Sequence, residues 1–107
     1  IEAITDYSSF LHGEAVSIGM SAAMKISHKL GMVDKGIMER QESLLKKFDL
    51  PIRCPGLNVD DLVENINLDK KRVDGKMRWV LLSDIGKAVV RADVPTRVVR
   101  EVIGELV

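Results

Sequence analysis

Residues 11–31 read LHGEAVSIGMSAAMKISHKLG, a histidine, a glycine and a glutamate standing directly in front of a run of small apolar residues. Ala15, Ile18, Ala22, Ile26 and Leu30 recur at three-to-four spacing, which is the signature of one apolar helix face. Lys25, Ser27 and Lys29 fall off that stripe. The spacing predicts a long helix over residues 13–30, with Gly31 as its stop. Its first half is small on nearly every face, so neighbouring backbones are expected to approach closely on all sides.

The chain downstream continues the helical pattern and then changes period. A second helix is predicted over residues 34–48, capped by Asp34 and burying Ile37, Leu44, Leu45 and Phe48. LPIRCPG, at residues 50–56, carries two prolines and a glycine and reads as a loop. Asn58 caps a short helix over residues 59–66, whose acids lie in the first turn where the helix dipole favours them. A charged connector, NLDKKRVDGK, follows. MRWVLL and KAVVRADV, separated by SDIG, are rich in branched residues and predict a β-hairpin over about residues 77–92. Pro95 opens a last amphipathic helix built on Val98, Val99, Val102, Ile103 and Leu106. The expected fold class is therefore mainly α, with one small hairpin. No internal repeat, low-complexity tract or flexible linker interrupts the 107 residues.

Composition narrows the classes of partner. Sixteen basic and sixteen acidic residues cancel, which removes the electrostatic reason to expect nucleic acid or an anionic membrane surface. Aromatic residues make up only 4% of the chain, so the core must be aliphatic. Cys54 is the one cysteine, which excludes an internal disulfide or a cysteine metal cluster and fits a reduced, cytoplasmic protein. The longest uncharged run, residues 15–24, is far shorter than the roughly 20 residues a membrane span requires. The chain opens on IEAITDY, without an initiator methionine or signal pattern, as a fragment or processed product would.

His12 is the first residue whose chemistry suggests a site. A helix N-terminus disfavours positive charge, so the imidazole there tends to be neutral, the form that binds a metal. Glu14 could support it as a nearby carboxylate or simply favour the dipole. A lone histidine at a helix entrance is more often a capping or packing residue. The other histidine, His28, cannot share an ion with it: sixteen residues of helix separate the two, about 24 Å at ~1.5 Å per residue. A catalytic zinc needs about three protein ligands and one open position. The companions of a metal-bound His12 therefore lie outside this chain, and His28 reads as a surface residue.

LDKKRVDGK, residues 68–76, is the second place of interest. It is either a solvated connector or an anion site in which adjacent ammonium groups on a loop hold a phosphate or carboxylate. No glycine-rich phosphate loop accompanies it.

Two motifs at this separation resemble one family. LHGEAVSIGM, residues 11–20, resembles the metal-histidine motif of 3-dehydroquinate synthases, LHGExVAIGM. LDKKRVDGKMRWVLLSDIGKA, residues 68–88, resembles the family's DKK signature, followed by a glycine, a basic residue, an apolar strand and IG. IEAITDYSSF resembles the stretch after its GHxxGHAIE motif. The resemblance covers essentially the whole chain, and the DKK signature separates it from glycerol dehydrogenases, which also carry HGE.

The resemblance implies a two-domain lyase of the shikimate pathway of aromatic amino-acid biosynthesis. An N-terminal α/β domain binds NAD, and a helical C-terminal domain carries a divalent metal, zinc or cobalt. Residues 1–107 would be the C-terminal part of that helical domain, with the NAD-binding domain absent. The reaction implied converts 3-deoxy-D-arabino-heptulosonate 7-phosphate to 3-dehydroquinate and phosphate. NAD transiently oxidises a substrate hydroxyl, phosphate leaves, the ketone is reduced, and an aldol step closes the ring. By this resemblance His12 is one of three metal ligands and Glu14 a supporting carboxylate. Lys71, or Lys70 beside it, meets the anionic end of the sugar phosphate, with Asp69 a weaker candidate for support. The remaining ligands, a glutamate and a histidine, lie upstream of Ile1, so the fragment is expected to be inactive without the rest of the enzyme. The whole enzyme is expected to be a cytoplasmic homodimer. Valiolone- or inosose-forming sugar-phosphate cyclases are the alternative within the enzyme class, and a non-catalytic helical interaction module the alternative outside it.

Overall fold

The computed structural model describes residues 11–72 and 78–107. The elements run α1 (His12–Lys29), α2 (Lys35–Lys47), α3 (Val59–Arg72), β1 (Trp79–Asp84), β2 (Lys87–Arg91) and α4 (Thr96–Leu106). The mainly helical class with one small antiparallel hairpin is as the sequence implies.

α1 is the hub, packing against α2, α4 and β1, while α3 packs against α4. Local chemistry sets the helix ends. Gly31 takes φ +74°, and the N–H groups of Gly31 and Met32 close back on the carbonyls of His28 and Ser27 at 3.0 and 2.9 Å. That paired closure needs a left-handed residue, which glycine adopts without a Cβ penalty. α2 starts where the Asp34 carboxylate accepts the N–H of Ile37 at 2.9 Å. It ends on the same closure with Asp49 at φ +57° in the glycine's place. Asn58 caps α3 by accepting the N–H of Asp61 at 3.2 Å.

The hairpin pairs Val80 with Val90, Leu81 with Val89 and Leu82 with Ala88. Ile85 and Gly86 make the turn, and Gly86 takes φ +79°. Leu81 is fully buried against the helices, whereas Val80 and Val90 stand outward. α4 contributes Val98, Val99, Val102, Ile103 and Leu106, all buried, as its spacing predicts. Each such aliphatic side chain gains about 1.5–3 kcal/mol on leaving water. Ile18, Ile26, Leu62 and Leu81 complete the aliphatic core around them. The 50–56 loop is fastened to it through the N–H of Cys54, which donates to the Leu106 carbonyl at 2.8 Å.

Several expectations are corrected. Helix α3 runs to Arg72 rather than stopping near residue 66, so the DKK run belongs to a helix and not to a loop connector. Leu68, Lys70, Lys71 and Arg72 are good helix formers and outweigh the weaker preference of Asn67 and Asp69. Leu44 and Phe48 are exposed at 55% and 67%, and only Leu45 of that predicted stripe is buried. Ser27, expected on the polar side, is fully buried. The front of α1 is not enclosed among the described residues. Gly13 and Gly19 face open space, and Val16 and Met20 are exposed. Residues 1–10 and the Met77 start expected for the hairpin lie outside the described residues.

Candidate functional site

His12 is the first helical residue of α1 and is exposed at the helix mouth. Its surroundings are set by the four residues Leu11, His12, Gly13 and Glu14. Leu11 takes extended backbone angles and has no side-chain acceptor to cap the helix. Glu14, three residues on, supplies the return half of a capping box: its carboxylate accepts the Leu11 N–H at 2.9 Å. The Leu11 carbonyl accepts the N–H of Ala15 at 3.0 Å. Glu14 thus spends one carboxylate oxygen on the backbone in front of the histidine.

Further along, α1 is tied down by serines that composition alone would place in water. The Ser17 hydroxyl donates to the Pro51 carbonyl at 2.6 Å. Ser27 donates to the Ala23 carbonyl at 3.0 Å and accepts the Leu82 N–H at 3.1 Å. These contacts hold the helix that carries His12 against the 50–56 loop and the hairpin. A run of serines spaced along an apolar stripe was the available signal, but it does not say which carbonyl or N–H each will meet. His28 is half-buried rather than fully on the surface, with Nδ1 at 3.2 Å from the Val33 carbonyl. Because a carbonyl only accepts, that nitrogen carries the proton.

Among the described residues no group of three or more His, Cys, Asp and Glu side chains could hold a metal ion. An imidazole at an exposed helix mouth is a suitable nitrogen donor, so the chain fits a metal as the supplier of one ligand. Asp69, Lys70 and Lys71 belong to the last turns of α3. Their side chains, and so their positions relative to His12, lie outside the described residues.

A cleft lined by described residues lies further along α1. It has a volume of about 230 Å³ and is lined by Gly19, Ala22, Ile26, Trp79 and Val102, among others, with Asn65 its most polar side chain. Among the described residues no titratable group lines it. Among the described residues no helix is long and apolar enough to cross a membrane.

Comparison with known proteins gives a consistent result. Residues 1–72 match the 3-dehydroquinate synthase C-terminal family. The 3-dehydroquinate synthase of Thermodesulfovibrio yellowstonii is 41% identical over 107 residues, covering 98% of this chain and 30% of that protein. The 3-dehydroquinate synthase of Microcystis aeruginosa is 44% identical, over 96% of this chain and 28% of its own length. Among solved structures, the 2-epi-5-epi-valiolone synthase ValA of Streptomyces hygroscopicus subsp. jinggangensis, with NAD+ and Zn2+ bound, superposes with a TM-score of 0.85. It is 27% identical over 94% of this chain and 28% of that one. The chain therefore spans less than a third of the length of these relatives.

Proposed function

The chain belongs to the 3-dehydroquinate synthase family, and from that membership we propose that the protein containing it converts 3-deoxy-D-arabino-heptulosonate 7-phosphate to 3-dehydroquinate with release of phosphate. The observation that carries this is the 41% identity across 98% of the chain with a protein of that name. The valiolone-forming alternative is represented by a relative at 27% identity, which favours the dehydroquinate reading. Family membership likewise favours an enzyme over a non-catalytic interaction module.

In this reading residues 1–107 form the C-terminal part of the helical domain, and NAD is held by upstream chain of the same enzyme. The bound NAD and zinc of the valiolone synthase support those cofactors here. His12 supplies one nitrogen ligand to the divalent metal, zinc or cobalt. A metal in that position provides Lewis-acid polarisation of a substrate hydroxyl. Lys71, with Lys70 beside it, holds the anionic end of the sugar phosphate as point charges. Their place near the C-terminus of α3 suits cations, since the helix dipole is negative there. The working enzyme is proposed to be a cytoplasmic homodimer.

The test is metal content and product. In the full-length protein, His12→Ala is expected to lose bound zinc and activity together, with thermal unfolding of the metal-free protein little changed. Retention of stoichiometric zinc by that variant would show that His12 is not a ligand. Residues 1–107 alone are expected to bind zinc only weakly in a calorimetric titration and to have no synthase activity. Product analysis with the full-length enzyme separates dehydroquinate from valiolone formation.

A further inference from the structure

The two residues flanking His12 in the chain bring little side-chain support of their own to its backbone. Leu11 before it is 74% exposed and offers no packed anchor. Gly13 after it has no side chain, faces open space, and is among the weakest helix formers, about 1 kcal/mol worse than alanine. Leu11 cannot cap the helix with its own side chain. Yet both backbone groups of Leu11 are engaged. The Glu14 carboxylate takes its N–H at 2.9 Å, and the N–H of Ala15 takes its carbonyl at 3.0 Å. The second bond comes with any helix. The first depends on one side chain.

We propose that Glu14 is the positioning residue for His12. It acts through the backbone of Leu11, rather than by touching the metal, its water or the imidazole. The bond from Glu14 to the Leu11 N–H fixes the turn from which the His12 Cα–Cβ bond projects. Neither Leu11 nor Gly13 has a side chain that could make such a bond. This rests on the reading of His12 as a ligand and assigns to Glu14 a role that the ligand reading alone leaves open. An acceptor oxygen is what the position needs, and its charge is secondary.

Three variants of the full-length protein test this: Glu14→Gln, Glu14→Ala and His12→Ala. The readouts are zinc affinity by chelator competition, the visible d–d spectrum of the cobalt-loaded protein, and protection of the Leu11 amide in hydrogen exchange. Glutamine keeps an acceptor oxygen at the same reach, so Glu14→Gln is expected to hold zinc within about threefold of the parent and to keep the cobalt spectrum. Glu14→Ala is expected to lose Leu11 amide protection, broaden the cobalt spectrum and weaken zinc about tenfold, the low end of what losing a supporting group costs. A Glu14→Gln variant as weak as Glu14→Ala would overturn the proposal, because the charge would then act on the site directly. A Glu14→Ala variant with parental affinity would overturn it as well. His12→Ala separates the two levels. If it keeps its zinc, the ligand reading fails and the positioning role with it. If it loses zinc while Glu14→Ala does not, only the positioning role fails.

Discussion

The hydroxyl of Ser27, buried on α1, accepts the backbone N–H of Leu82 in β1 at 3.1 Å while donating to the Ala23 carbonyl of its own helix at 3.0 Å. One side chain thus satisfies a strand N–H and ties the hairpin to the helix that carries His12. Ser27→Ala takes the acceptor away from that partly buried N–H, and such a loss costs about 1–3 kcal/mol. Urea denaturation is expected to show a midpoint lowered accordingly. A cost near zero would mean that the Leu82 N–H finds water or another acceptor.

Leu45 on α2 and Phe48 at its C-terminal cap stand one turn apart, yet the first is 6% exposed and the second 67%. Leu45→Ala is expected to cost about 2–5 kcal/mol, the range for emptying a packed leucine site. Phe48→Ala is expected to stay within about 0.5 kcal/mol, as exposed substitutions do. Denaturation midpoints of the two variants check the contrast. Equal costs would mean that another surface covers Phe48.

The same helix shows why some of the fold could be read from the sequence and some could not. Caps depend on side chains within three residues, so Asp34 and Asn58 were readable from local chemistry. The stripe of α4 was readable too, because all five of its apolar positions share one face. The buried phase of α2 was not, since Leu44, Leu45 and Phe48 are all apolar and only tertiary packing leaves Leu45 the buried one. Ser27 was misplaced for a related reason: its partner lies 55 residues away. The length of α3 was hidden by its charge, because a charged run reads as a loop even when most of its residues, here Leu68, Lys70, Lys71 and Arg72, favour helix. At the site, His12 was placed correctly at a helix mouth, but its own spacing supplied no co-ligand. The family resemblance, not the residues alone, made it a ligand candidate. The sequence leaves Glu14 between two roles, and the structure adds its bond to Leu11.

Cys54 gives the protein a pH-dependent weakness. The residue is fully buried in the aliphatic core, and burial pushes its thiol above the ordinary value of 9.0 against a smaller opposing pull from Arg53. In the unfolded chain the thiol ionises near that ordinary value, while in the folded protein it stays protonated to higher pH. The folded state therefore holds the extra proton in that window. This contribution to stability is fully present below pH 9.0 and is lost as pH rises through the higher folded value. At neutral pH a thiol kept protonated and out of water is also a poor nucleophile. Iodoacetamide is thus expected to label Cys54 slowly in the folded protein and rapidly in urea. Cys54→Ala should flatten the alkaline fall in stability, since it removes the group that titrates. If the variant loses stability above pH 9.0 as steeply as the parent, the fall belongs to other groups and the thiol carries no part of it.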